Sequence, residues 1–508
     1  MKAPVLIFGS VTVLLGSILR QYGQVPIAQS SAPAAVASES STQARVFRSS
    51  SELVLVPVVI LKHGQRVSGL TKADFRVEQN GVEQSIASVE EVSAQGAAAT
   101  ILSPTVGSYS NLPLDPAGQP RVTILVLDLL NSTQFQRTDA KEELVRFLSR
   151  DLQREDPFSL LCITPKGIRS ILPFTSDRKE LIQALQKLDT GGFWLRPHKD
   201  AVIQTLEQLQ QIARAYAGVA GRKSLVLMAG KIEYPEVGSS LYSDRAAYPV
   251  ADEIRRDFDE ARKAFVSANV AVYPVELLGY NPFAQPDLAH SFLYLAEGTG
   301  GSVCGESNNY SNCLNDAVED SRSYYMLSYL VKPNDRKPGW RKLKVKITGL
   351  EAEVRARSGF YYEDHTIAPS ADSNHQEEIT ALASPLDATG VPMNVRLLSL
   401  DAGPEGKKTA QFIITVPFQG IDVDTGGKYA MDLDAGGIAL DRDMKEAGEF
   451  IRPLRGNPQP EALKQLSKEG IRLRASFALS SGIYDMRFYV RDNATGHIGT
   501  VIFPLEVH

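Results

Sequence analysis

Between Arg121 and about Leu278, near-continuous apolar runs of strand length alternate with amphipathic stretches of helical period, and this pattern limits the fold more than any other feature. "VTILVLD" (122–128), "FSLLCIT" (158–164), "KSLVLMAG" (223–230) and "VAVYPVELL" (270–278) are too uniformly apolar for half-exposed strands. They fit a parallel sheet covered by helices on both faces. "IRSILPFT" reads as a further strand. "DAKEELVRFLSRDL", "DRKELIQALQKL", "KDAVIQTLEQLQQIARAYA" and "ADEIRRDFDEARKAFVSA" read as helices, the second capped by Ser176 and Asp177. Ligands of such sheets bind outside the carboxyl ends of the strands, and Asp128 stands at that edge.

The rest of the 508 residues divides around this region. Residues 1–43 combine an export signal and a polar lead-in: Lys2, an uncharged apolar run to Leu19, then small-residue sites at Ala32–Ala34 and Ala35–Ala37. The run is shorter than the ~20 residues of a comfortable span. Cleaved signal is the first expectation and uncleaved anchor the alternative; both place the chain outside the cytoplasm, periplasmic, extracellular or envelope-associated. Residues 44–95 read as a small β domain, with a hairpin at Asn80-Gly81. Residues 96–120 read as a Gly/Pro/Ser-rich linker, 121–362 as the α/β domain with a β finish, and 363–376 as a second linker. Residues 377–508 read as an antiparallel β-sandwich of immunoglobulin-like character with almost no helix, "PEALKQLSKEG" coming nearest to one.

Composition excludes some partners. The net charge is −5, and no Lys/Arg cluster interleaves with aromatics, so nucleic acid is not expected. Membrane contact is expected only if the N-terminal segment stays as an anchor. Of three cysteines, Cys162 lies in an apolar run and reads as a small buried hydrophobe, while Cys304 and Cys313 are close enough in sequence to bridge in an oxidising compartment. No nucleophile elbow, H-E-x-x-H or phosphate loop occurs, and the seven histidines are dispersed. The acidic stretches "DVDTGG" (422–427) and "DLDAGGIALDRD" (432–443) read as strand turns rather than calcium loops.

The order "LTKADFRVEQNGVEQSI", "ILVLDLLNS", "RKSLVLMAG", "LAEGTGG", "YYMLSYLV" and "VRARSGFYY" resembles the acidobacterial-type VWFA-related family, exported proteins carrying a von Willebrand factor A-like domain. The resemblance spans roughly residues 50–362. It implies a Rossmann-like α/β domain preceded by a small β domain, and a metal-ion-dependent adhesion site built from an Asp-x-Ser-x-Ser run, a Thr and a second Asp. Carried onto this chain, Asp128 and Ser132 match the first run, but Leu130 stands at its middle serine. Phe193 stands at the threonine position, with Thr190 near, and Ala229 at the second aspartate, followed by Lys231. Mg²⁺ wants near-octahedral oxygen coordination, so the site is expected to be degenerate and to hold no tight cation. Asn131, Thr133 and Glu233 are the oxygen-bearing residues that a rebuilt Mg²⁺, Mn²⁺ or Ca²⁺ site would use. The alternative role for Asp128 is capping, or accepting backbone N–H bonds in the strand-end loop.

Three functions follow as expectations: a non-catalytic exported module binding or scaffolding a protein or envelope component; a metal-dependent adhesion module; and, last, a hydrolase. Asn131, Thr133, Thr190, Phe193 and Trp194 form the expected partner surface.

Overall fold

The computed structural model describes residues 53–508 apart from 94–100, 102–106, 113, 115–120, 152–155, 192–197, 231, 233, 236–247, 278–288, 305–309, 333–334, 336, 363–370, 419–420 and 422–429. In chain order, β1 (Leu53–Lys62), β2 (Gln65–Arg66), β3 (Phe75–Gln79), β4 (Val82–Gln84) and β5 (Ile86–Val92) come first, then the short β6 (Ser108–Ser110). The alternating region follows: β7 (Thr123–Asp128), α1 (Gln134–Arg146), β8 (Phe158–Thr164), β9 (Gly167–Thr175), α2 (Arg178–Lys187) and α3 (His198–Ala215). It continues with β10 (Lys223–Ala229), α4 (Tyr248–Ser267), β11 (Val270–Glu276), α5 (Ala289–Thr299) and α6 (Tyr310–Arg322). Next are β12 (Tyr324–Leu330), β13 (Gly339–Ile347), β14 (Glu353–Ala356), β15 (Gly359–Tyr362) and α7 (Ala371–Ala383). The chain ends with β16 (Asn394–Ala402), β17 (Lys408–Val416), β18 (Met431–Leu440), β19 (Glu446–Gly456), α8 (Pro460–Glu469), β20 (Ile471–Leu479), β21 (Gly482–Asp492) and β22 (Ile498–Val507).

The central sheet has the order β11-β10-β7-β8-β9, with β9 the antiparallel edge and the other neighbours parallel. All residues of β7, β8 and β10 are buried, as strands covered on both faces must be. Successive side chains of β7 enter opposite cores. Ile124 and Val126 meet α3 and α4 residues such as Leu206 and Phe258; Leu125 and Leu127 meet Leu144 of α1 and Leu314 of α6. The strand order reverses between β7 and β10, the switch point at whose carboxyl ends open α/β sheets bind their ligands.

The strands before and after this region form one unit. β1 pairs with β12 and β14, and β3 pairs with β13, so the hairpin segment and the β finish share a core that includes Val56, Phe75, Leu327 and Tyr329. At the other end, sheets β20-β17-β16-β6 and β19-β18-β21-β22 share a core around Phe412, Phe477, Phe488 and Phe503.

Several segments differ from the expectations. Strand β6 lies in the stretch 96–120 read as a linker. Helix α7 begins inside the stretch 363–376 read as a linker; two of its polar residues are tied to β21, Arg491 donating to Glu377 Oε2 at 2.6 Å and to Asn374 Oδ1 at 2.8 Å. Residues 432–440 lie in β18 rather than in a turn, because Gly436 and Gly437 leave room there for Tyr489 and Phe450; residues 422–427 lie outside the described residues. Helix α6 was not expected: Leu314, Ala317 and Val318 are buried at helical spacing, but only over three turns.

Both flanking units dock at the amino-terminal edge of the central sheet. Arg222, just before β10, donates its backbone N–H to Tyr324 Oη at 3.2 Å, and Arg357 Nη1 reaches Val266 O at the end of α4 at 3.0 Å. Thr389 donates from its backbone N–H at 2.9 Å and its hydroxyl at 2.7 Å to Ala215 O, at the end of α3. The carboxyl edge, with Asp128, points the other way.

Candidate functional site

Strand β7 carries Asp128 out of the sheet as its last residue, and the next two residues plug opposite cores. Leu129 joins the α1/α6 side and Leu130 the α3/α4 side. Leu130, expected at the middle-serine position, is thus a core residue, and it anchors the turn that wraps Asp128. That carboxylate is 1% exposed. Its Oδ1 accepts the backbone N–H groups of Leu130 at 2.8 Å and Asn131 at 3.1 Å. Its Oδ2 accepts Asn131 Nδ2 at 2.7 Å and the Thr205 hydroxyl, from α3, at 3.3 Å. Asn131 Nδ2 also donates to Thr205 Oγ1 at 2.8 Å, closing a triangle. Burial pushes the Asp128 pKa above its ordinary value, and the bonds from Asn131, Leu130 and Thr205 oppose that rise.

The surrounding residues hold this turn still. Ser132 Oγ accepts Gly230 N–H at 2.9 Å, tying the β7 loop to the β10 loop. A Cβ on Gly230 would sit 2.2 Å from Asn131 O, so the approach requires glycine. Thr133 caps α1: its hydroxyl accepts Gln136 N–H at 3.3 Å and Gln136 Oε1 accepts Thr133 N–H at 2.8 Å, a capping box. Gln136 Nε2 also donates to Leu277 O after β11. Arg137, buried on the inner side of α1, donates to Leu129 O and, at 3.2 Å, to Thr190 O. Burial lowers the Arg137 pKa while the Asp128 charge raises it, so the two groups sense each other.

Of the expected site residues, Asp128 and Asn131 come together, while Ser132 is turned to Gly230 and Thr133 to its helix. Thr190 is buried and contributes its backbone oxygen. Phe193, Trp194, Lys231 and Glu233 lie outside the described residues. Ala229 is buried in the α3/α4 core. Among the described residues, no group of three or more His, Cys, Asp or Glu is placed to hold a metal ion. Thr205 and Arg137 were missed. Each left a signal: Thr205 is a hydroxyl inside the buried stripe of Ala201, Val202, Leu206 and Leu209, and Arg137 shares a helix face with Ala140 and Leu144.

Beside this site Phe135 of α1 is 65% exposed. Elsewhere, Cys304 and Cys313 are joined in a disulfide with Cα atoms 5.7 Å apart, and burial pushes the Cys162 thiol up to about 12.

No family model matches the chain, and no curated protein is similar to it. Similar solved structures include an aerotolerance-related membrane protein from Bacteroides fragilis, 14% identical, TM-score 0.26, covering 39% of this chain and 98% of that one. The VWA domain of SpRpn10 is 16% identical, TM-score 0.23, with 38% and 94% covered. Proximal thread matrix protein 1 of the mussel byssus, with a zinc-occupied MIDAS motif, is 12% identical, TM-score 0.25; the match covers 40% of this chain and 46% of that one.

Proposed function

We propose that this chain is an exported, non-catalytic binding module, whose von Willebrand A-type α/β domain engages a protein or envelope component through the carboxyl edge of its sheet. The β-rich units would serve as its supports, the C-terminal one as a sandwich. The observation that carries this reading is the Asp128 carboxylate, which four donors of the same chain already engage. A divalent cation there would have to displace N–H and O–H groups from a lone carboxylate. The residues do not fit one: Leu130 and Ala229 are core residues at two ligand positions, and Arg137 lies close by. Among the described residues both flanking units dock at the opposite edge, and exposed Phe135 offers an aromatic anchor at this one.

Melting of the purified protein with millimolar Mg²⁺, Mn²⁺ or Ca²⁺ tests the cation-free reading, and an unchanged transition is expected. Capture of partners from envelope extract, compared with Phe135→Ala, tests the surface. The variant is expected to melt with the parent, within about 0.5 kcal/mol, and to lose the captured partner; equal capture would reject this edge as the interface.

One observation favours a second reading, the metal-dependent adhesion module. Asn131 Oδ1 is buried without a hydrogen-bond partner among the described residues, an orphan acceptor within one residue of Ser132. A cation-dependent rise in melting temperature, lost in Asn131→Leu, would establish that reading instead.

A further inference from the structure

Residues 107–112 stand between two units and are bound like a ligand by the later one. β6 runs antiparallel to β16, with Ser108, Tyr109 and Ser110 opposite Arg396, Val395 and Asn394. Leu397 N–H donates to Gly107 O at 3.0 Å, and Ser108 Oγ lies 2.8 Å from Asn394 Nδ2, which donates to it. Three residues of ladder are a weak hold by themselves. Two side chains supply the rest.

The first is Tyr109, whose ring rests 4.6 Å from that of Phe503 in β22 while remaining 41% exposed. The second is Asn111, 3% exposed. Its Nδ2 donates to Ala388 O at 2.7 Å and Val391 O at 2.8 Å, and its Oδ1 accepts Met393 N–H at 2.8 Å. Its own backbone N–H adds a bond to Met393 O at 3.3 Å. One side-chain amide thus satisfies three main-chain groups as a paired strand would. Gly499 makes the room: a Cβ there would lie 3.1 Å from Asn111 Nδ2 and 1.9 Å from Val391 O. Immediately afterwards the chain leaves this unit, and Leu112 and Leu114 pack into the α/β core.

We propose that the slot formed by β16, residues 388–393 and β22 is a peptide-binding site for an extended segment carrying an aromatic residue and, two positions later, an asparagine. The chain's own residues 107–112 fill it in cis. Aspartate in place of Asn111 lacks the donors that Ala388 O and Val391 O require, and glutamine extends the amide too far. The tethered segment holds the slot at high effective concentration, so an outside peptide of this pattern binds when the tethered one is weakened.

The test uses the full chain carrying Asn111→Ala and two synthetic peptides. One is residues 105–114, TVGSYSNLPL, and the other is that peptide with its asparagine replaced by alanine. The variant is expected to melt several degrees below the parent, and the first peptide at millimolar concentration to restore most of that loss while the second does not. Melting with the parent, no rescue, or equal rescue by both peptides would overturn the proposal. Should Asn111→Ala yield no folded protein, Tyr109→Ala keeps the clamp and loosens the ring contact. Labelled first peptide should then bind that chain at least tenfold tighter than the second by fluorescence anisotropy, and equal or absent binding would overturn the proposal.

Discussion

Two buried aspartates, one at each edge of the central sheet, are satisfied in opposite ways. Asp128 at the carboxyl edge is surrounded by neutral donors, all from β7, its loop and α3. Asp320 of α6, 0% exposed, is surrounded by cations. Arg66 Nη2 lies 2.5 Å away, Arg355 Nη1 3.2 Å and Arg222 Nη2 4.0 Å, and the Tyr273 hydroxyl donates at 2.6 Å. Arg66 and Arg355 come from β2 and β14 of the flanking unit, whereas Arg222 and Tyr273 belong to the α/β unit. Asp320 is therefore a joint between two units, and Asp128 is a plug within one. The contrast separates the edge where the units are joined from the edge where the β7 loop is closed on itself.

Breaking the joint should cost most. Asp320→Ala strands buried Arg222 and leaves Arg66 and Arg355 without their shared partner, so a loss of about 3–5 kcal/mol is expected in denaturant unfolding. Because the joint crosses units, the transition should also broaden or split. A loss below about 1 kcal/mol would mean that the arginines find water, and the distinction between joint and plug would fall.

Asp128→Ala should rank next. It removes the acceptor of four donors, of which Asn131 Nδ2 keeps a second acceptor in Thr205 Oγ1, so roughly 2–4 kcal/mol is expected. Its pH dependence sharpens the comparison. Burial raises the folded-state pKa of Asp128 above the ordinary 3.8. Below 3.8 the carboxyl is protonated in both folded and unfolded chains. As the pH rises from there through the raised folded value, only the folded state keeps the proton, and stability from this group declines. Asp128→Asn does not titrate, so the stability of the parent minus that of the variant should fall between acid and neutral pH. A difference that is flat or rises with pH would contradict a carboxyl dominated by burial.

Much of this architecture was legible in the sequence, and the illegible parts share a cause. The strands of the central sheet announce themselves because burial on both faces leaves no polar position, as in "VTILVLD" and "KSLVLMAG". The Asn80-Gly81 hairpin did so through local turn chemistry, both residues holding positive φ. What escaped depends on partners distant in sequence. The polar face of α7 resembles a linker until Arg491 is placed against it, and residues 107–112 resemble one until β16 is beside them. The candidate site divides in the same way. Asp128 was visible from its place at the end of β7, but Thr205 lies 77 residues away and no local pattern specifies which strand end it faces. Leu130 and Ala229 were read as standing at ligand positions, and in the structure both are packed in the core.

The smallest expected effect tests the plug most finely. Thr205→Val keeps the shape of the side chain while removing a donor to Asp128 Oδ2 and an acceptor of Asn131 Nδ2. Loss of one such bonded hydroxyl costs about 1 kcal/mol, a third or less of the cost at Asp320. The hydroxyl is also one of the bonds that oppose the raised pKa of Asp128. Its removal should therefore push that pKa further up and steepen the decline of stability with pH. The two changes act on one carboxylate, so Asp128→Asn combined with Thr205→Val should cost less than the sum of the singles, and the double variant should lose the steeper pH slope. Strict additivity in denaturant unfolding would show that Thr205 stabilises α3 by itself and that the carboxylate is held by its own loop alone.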